Sequence, residues 1–414
     1  MKIKYSLLYV SILFVLCYQC FADTLTLDDC ILLAKENNLE LIQAKMNIDN
    51  ARAVRSEANS SYYPSLGLSS GYRTGGDFSD DVSGSYSSGL SAQYTLYKGG
   101  SIRAGSKIAK TRVRIAEENY RQKEAAVLLS VNQAFYKILQ TQEQITLIDN
   151  ILKRRNENLT LIKLNYSVGR ENQPNVAQAE ASLNQTEYDY MRAEQNLALA
   201  KLGLSLLLNR PESNIDIMYV EKTIQFLLLD SLIKTAKNQR PEIISEKSNR
   251  EVVEAQLIQA KSNYLPALSV SSSYGLGGDD FLKQSASWSA GVNLSMPLFN
   301  GFSTSAKVKQ TTIALKQEDL ILKNLENNVI EEVSQAHSDW VLGTKNLEVS
   351  SKTLEATRDA YQLTKLQYEQ GRTSYFFLQQ KESELTQAEN GYVNALFNLR
   401  ASGAALEKAI GRSN

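Results

Sequence analysis

Side chains that do chemistry are few in this chain. His337 is the single histidine, and Cys17, Cys20 and Cys30 are the three cysteines. No His/Cys cluster has metal-ligand spacing, and there is neither a nucleophile elbow nor a phosphate-cradling loop. His337 lies beside an apolar stripe and reads as a packed polar residue, and Cys30 as a small buried one. Aspartates and glutamates are scattered over helix surfaces, as solvated charges are. No catalytic residue, metal or cofactor is therefore expected. One spacing stands out because it occurs twice: Tyr166-x-x-Gly169-Arg170 and Tyr368-x-x-Gly371-Arg372, each interrupting a helical pattern. Glycine adopts positive φ at a helix end with little strain, so each motif predicts a sharp helix stop. Asn172 is suited to cap a helix that opens at Pro174, and Thr373 or Ser374 to cap its twin. Arg170 and Arg372 have two equal readings: they brace a closed arrangement, or they are solvated, with Glu171 alongside.

These breaks belong to a duplicated chain. Adding 202 to Tyr62, Pro64, Gly89, Leu96, Gly169 and Gln178 gives Tyr264, Pro266, Gly291, Leu298, Gly371 and Gln380. A register held without slippage implies a tandem repeat whose element lengths matter, because ordinary loops tolerate insertions. Repeat one is expected over 23–210 and repeat two over 230–414, joined by a segment at 211–229. Each follows one plan: helix, two strands, long helix, break, helix. From Ser101 to Val168 there is no proline and one glycine, Gly105. Those 68 residues, like their twins Ser303 to Gln370, predict helices about 100 Å long at about 1.5 Å per residue. Val131, Ile138, Ile145, Leu152, Leu159 and Tyr166 recur every seventh residue. A helix of that length outruns any small globular core, so the stripe reads as a coiled-coil seam.

Residues 1–22 read as a secretory signal peptide: Lys2 and Lys4, a short apolar run, then Ala22. Neither Cys17 nor Cys20 has the preceding small residue that a lipoprotein signal needs. Without Lys2 and Lys4 the chain keeps 43 basic and 45 acidic residues. With no polybasic run, that balance excludes nucleic acid as a partner. After the signal no apolar run reaches the about 18 residues of a spanning helix. The exported product is then either soluble in a periplasm-like space or membrane-inserted as strands.

Strands are expected at about 64–73, 86–98, 266–275 and 287–299. Leu90, Tyr94 and Leu96 alternate with small or polar residues, and so do Trp288, Val292, Leu294 and Leu298. Runs of about ten residues, apolar on one side and polar on the other, mark transmembrane β-barrel strands whose apolar residues face lipid. The Gly/Ser/Asp-rich stretches 73–85 and 275–287 suit solvent-exposed hairpin loops. A pair of soluble surface hairpins is the competing reading. Four strands cannot close a barrel alone, so the chain must oligomerise, and periodicity does not choose the number of copies.

The sequence resembles the TolC-like outer membrane efflux protein family. The resemblance rests on the duplicated plan, the strand openings Tyr63-Pro64-x-Leu66 and Leu265-Pro266-x-Leu268, the strand ends "LYKGG" and "LFNGF", and the glycine of each break. It implies a fold that is mainly α with a membrane β-barrel portion: a homotrimer with a 12-stranded β-barrel and a 12-helix α-barrel. Shorter helices at about Leu27–Asn59, Pro174–Asn209, Pro241–Asn263 and Thr373–Ile410 would pair with the long ones. It also implies an exit duct in the outer membrane of a Gram-negative bacterium, extending into the periplasm. The duct would receive substrate from an inner-membrane transporter (RND, ABC or MFS type) through a periplasmic adaptor, for efflux or type I secretion. Adaptor tips would dock at Val168, Gly169, Arg170, Gln370, Gly371 and Arg372. Family members carry aspartates six and nine residues beyond the second tip glycine. Here those positions are Phe377 and Gln380, with Asn175 and Gln178 in repeat one, so a constriction of these residues and Phe376 would be apolar and amide-lined. A periplasmic coiled-coil scaffold or adaptor without a pore is the alternative.

Overall fold

The computed structural model describes residues 24–75, 83–211, 215–219, 228–280 and 285–412. The signal peptide at 1–22, and parts of the hairpin connections and of the 211–229 segment, lie outside the described residues. In chain order the elements are β1 (Thr24–Leu25), α1 (Leu27–Asn37), α2 (Leu39–Asn59), β2 (Ser65–Gly75), β3 (Ser83–Lys98), α3 (Ser101–Ser167) and α4 (Gln173–Leu207). They continue as β4 (Asp216–Ile217), α5 (Leu229–Gln239), α6 (Pro241–Ser262), β5 (Ala267–Gly278), β6 (Ser285–Ser295), α7 (Ser303–Glu369) and α8 (Tyr375–Ala409). The pairs α1/α5, α3/α7 and α4/α8 start and stop 202 residues apart.

Contacts gather these elements into two units. One takes the chain up to Ile42, Glu124–Ile233 and everything from Glu332 onward. Its helices pack along the seven-residue stripe: Val131, Ile138, Leu159, Val333, Tyr361 and Tyr368 are buried. Ile145 and Leu152 are half-buried, and Tyr166 stands exposed, whereas its twin Tyr368 is covered. The single helix expected over Leu27–Asn59 is two helices. Asn38 leaves the helical region at ψ 125°, accepts from the amides of Glu40 and Leu41, and donates its own amide to Leu207 O at 2.9 Å. An asparagine that caps a new helix in this way ends the old one. The joining segment holds β4, parallel to β1, a strand that no alternation of residues there signals. Cys30 is fully buried, and burial pushes its thiol up to about 12, so it is inert packing.

The other unit takes Gln43–Lys123 and Lys234–Glu331. Its helical part buries Ile108, Val252 and Ala255. Its strands form one antiparallel sheet in the order β2-β3-β5-β6, with β2 and β6 as open edges. The strands are displaced from the expected bounds. β2, β3, β5 and β6 reach further into the Gly/Ser-rich connections, where Tyr72 and Tyr86 pair with rings 4.7 Å apart. At its other end β6 stops at Ser295, four residues short of expectation, because Pro297 has no amide to donate and keeps its predecessor out of a regular ladder.

Candidate functional site

Each break is a Schellman turn. After α3 the amide of Arg170 bonds to Asn165 O at 2.8 Å and that of Gly169 to Tyr166 O at 3.0 Å. After α7 the same pair runs from Arg372 to Gln367 O at 2.8 Å and from Gly371 to Tyr368 O at 2.9 Å. Gly169 and Gly371 hold φ of 77° and 71°, the left-handed conformation this motif requires. Asn172 caps α4, its side-chain oxygen accepting from the Asn175 amide at 3.0 Å. Its counterpart Ser374 holds the cap position of α8 without a side-chain hydrogen bond, and Thr373 does not cap. Val168, Gly169, Arg170, Gln370, Gly371 and Arg372 are all exposed, and among the described residues neither arginine makes an ion pair.

The charge that ties the two breaks together is Glu171, which the sequence offered only as a neighbour of Arg170. Tyr368 donates its hydroxyl to one carboxylate oxygen at 3.4 Å, and the Asn175 amide group donates to the other at 2.6 Å. Asn175 is thereby half-buried, while Gln178 and Gln380 are exposed and Gln380 donates to Glu384 at 3.1 Å. Phe376 and Phe377 stand exposed, with their rings edge to face 6.0 Å apart. No acidic side chain occupies these positions.

Behind the breaks, Leu159, Ile162, Tyr361, Tyr368, Tyr375 and Leu378 form an apolar cluster. Next to it lies a buried polar group that periodicity did not signal. Asn158 donates to Tyr361 Oη at 3.1 Å and to Glu382 Oε2 at 2.9 Å. Arg154 holds Glu389 in a two-pronged pair at 3.1 and 3.0 Å, donates to Thr386, and lies over the Tyr361 ring. Arg155 reaches Ser182 O at 2.7 Å and Thr186 Oγ1 at 2.6 Å, with Glu382 at 3.4 Å. Side chains of α3, α4, α7 and α8 thus meet in one network. Burial opposes the Arg154 charge, but the hydrogen bond and field of Glu389, with the field of Glu382, outweigh it and raise the guanidinium above its usual range. Burial likewise pushes the Tyr361 and Tyr375 phenols up to about 12.

The register of the sheet sorts its two faces. One row reads Leu68, Leu90, Tyr274, Trp288, and the next rows bring Tyr94, Val270 and Val292 together, then Leu268 with Leu294. Most of these side chains lie bare, with Leu68 82% and Trp288 79% exposed, while Tyr94, Val270 and Leu268 are half-buried. Two expected members depart from this face. A bulge between Thr95 and Tyr97 leaves Leu96 without a partner and sets Tyr97 opposite Leu268, so the strict alternation of β3 ends there. Leu298 lies beyond β6 altogether. The opposite face is serine and glycine in nearly every row, as in Gly67, Ser91, Ser273, Ser289 and in Ser69, Gly89, Gly275, Ser287. Serine hydroxyls bond across to glycine carbonyls, for example Ser91 to Gly67 O at 3.4 Å.

Among the described residues no helix is long and apolar enough to cross a membrane, and no cluster of three or more metal-ligating side chains exists. Known proteins share this arrangement. The chain is 21% identical over 389 residues to the outer membrane protein TolC of Vibrio cholerae, spanning 91% of this chain and 89% of that one. It is 25% identical over 401 residues to the solvent efflux pump outer membrane protein SrpC of Pseudomonas putida, spanning 91% and 83%. A solved structure of CusC superposes with a TM-score of 0.85 over 96% of each chain at 19% identity, which is a likeness of fold. The family described as outer membrane efflux protein matches residues 30–210 and 232–412, two stretches displaced by the same 202 residues as the repeats. The chain belongs to the outer membrane efflux protein family, and its work is that of an exit duct of the outer membrane.

Proposed function

We propose that three copies of this chain close a 12-stranded barrel in the outer membrane and a 12-helix barrel in the periplasm. The assembly is a passive conduit in a tripartite efflux or type I secretion system. An inner-membrane transporter supplies the energy and chooses the cargo, and a periplasmic adaptor docks at Val168–Arg170 and Gln370–Arg372. Asn175, Gln178, Phe376, Phe377 and Gln380 line the constriction behind those tips. Leu90, Tyr94, Trp288, Val292 and Leu294, with Tyr97 in the place expected for Leu96, face lipid.

The observation that supports this best is the sheet itself. It has two unpaired edges, a bare apolar face and a bare polar face. In water such a sheet invites aggregation, whereas a closed ring of several copies in lipid leaves no edge and wets only the polar side. Cysteines introduced by Ser69→Cys on β2 and Ser289→Cys on β6, joined by a flexible bis-maleimide, test the closure. The double variant is expected to cross-link in detergent to a trimer and no further, while each single variant stops at the monomer. A detergent-free, soluble monomer would instead point to a periplasmic scaffold.

A further inference from the structure

Where β3 leads into α3, a cavity of about 280 Å³ opens beside the apolar face of the sheet. Tyr62, Tyr94, Leu96 and Tyr97 wall it, and Lys98 and Arg103 stand on it. A separate cavity of about 480 Å³ lies against the polar face; Lys98 borders both, and Arg103 lines the first alone. Among the described residues neither cation makes an ion pair. The cavity also meets the N-terminus of α3. The Ala104 amide is the first to bond back along that helix, to Gly100 O at 3.0 Å, which leaves the amides of residues 101–103 outside the ladder.

The second repeat supplies an internal comparison. The counterparts of Lys98, Gly100 and Arg103 are Asn300, Phe302 and Ser305. There Asn300 Oδ1 accepts from the Thr304 amide at 3.5 Å, and Phe299 and Phe302 meet edge to face with centroids 5.5 Å apart. Repeat two therefore caps its helix end with an amide, and its two phenyl rings pack on each other. Repeat one puts a lysine where the cap would be, adds an arginine, and leaves the helix end open.

We propose that this cavity is a binding site for the phosphate headgroup of a bilayer phospholipid, one per chain. The proposal rests on the reading above that the apolar face of the sheet meets lipid. Interfacial tyrosines present an apolar body to acyl chains and a hydroxyl to the headgroup layer. Arg103, Lys98 and the uncapped amides then converge on the phosphate, which a helix N-terminus favours. A free phosphate would use the cations but gains nothing from walls of tyrosine and leucine.

The test uses the full mature chain, purified in non-ionic detergent and given phosphatidylglycerol or phosphatidylcholine, with bound lipid counted by native mass spectrometry. The wild type is expected to keep about one phosphatidylglycerol per chain. The K98Q/R103Q variant should lose roughly 30-fold in apparent affinity, the effect of removing two interfacial cations. K309Q, on α7, should lose nothing. Equal retention by the wild type and K98Q/R103Q, with both proteins inserting into vesicles, overturns the site. Displacement of the lipid by inorganic phosphate as readily as by phosphatidylglycerol overturns the lipid assignment. Failure of the wild type to enter vesicles at all removes the membrane reading on which the site depends.

Discussion

Tyr375 opens α8 with its ring inside the apolar cluster behind the breaks, next to Tyr368 at 6.4 Å. Burial raises its phenol, and that of Tyr361, from 10.0 to about 12. A folded value above the unfolded one means that the fold favours the neutral ring. That contribution is complete below pH 10 and disappears as pH climbs through about 12. Alkaline unfolding, followed by tyrosinate absorbance with circular dichroism, should therefore fall in this window. Tyr375→Phe, which removes a titrating group whose hydroxyl makes no hydrogen bond among the described residues, should move the transition to higher pH; an unmoved transition would show that these rings do not govern it. At this scale the sequence was partly legible. A cysteine without a partner and an asparagine two residues ahead of a proline each announced their place. The Arg154 network did not, because Asn158 finds Tyr361 203 positions away and Arg154 finds Glu389 235 positions away. A single-helix periodicity carries no sign of such pairs.

The helices end where their glycines turn left-handed. Replacing Gly371 by Ala keeps every Schellman bond but forces a Cβ into φ of 71°, and should cost about 1 kcal/mol. Gly203 lies inside α4 with open space where a Cβ would go. Gly203→Ala should stabilise by about 0.5–1 kcal/mol, since alanine loses less backbone freedom there. Thermal melting of the detergent-solubilised protein checks both signs together, and two shifts in the same direction would contradict the argument. The alternation of the strands was legible because each has one apolar face. Their ends were not. The ladder ran on into Gly/Ser-rich stretches, a bulge moved the frame at Leu96, and Pro297 cut β6 short. Similarly, one helical stretch was in fact two, because a buried asparagine satisfies the loose backbone groups at a bend that no proline or glycine marks.

In the proposed trimer every residue behind the tips occurs three times, so the missing aspartates are missing from a whole ring. A constriction of phenyl rings and neutral amides lacks the field that selects cations. In planar bilayers the purified channel is expected to pass cations and anions with similar ease and to resist divalent block. F377D/Q380D should confer both cation preference and block, and strong cation selectivity in the wild type would refute the neutral constriction. The duplication that makes such counting possible was readable from the constant offset alone. The asymmetry laid over it, an arginine cluster and an open helix end on one repeat, needed the three-dimensional contacts. The serine and glycine face of the sheet carries a last consequence. The hydroxyls of Ser69, Ser87 and Ser91 are already engaged with the carbonyls across from them, and apart from Arg73 the strands between Ser65 and Gln93 put no charge on that face. A barrel closed around it would have a bore as wide as its backbone permits and a wall with little grip on any passing solute. In the proposed duct, cargo of any class crossing such a barrel would meet the same slippery, charge-poor lining, and the barrel wall itself would discriminate little.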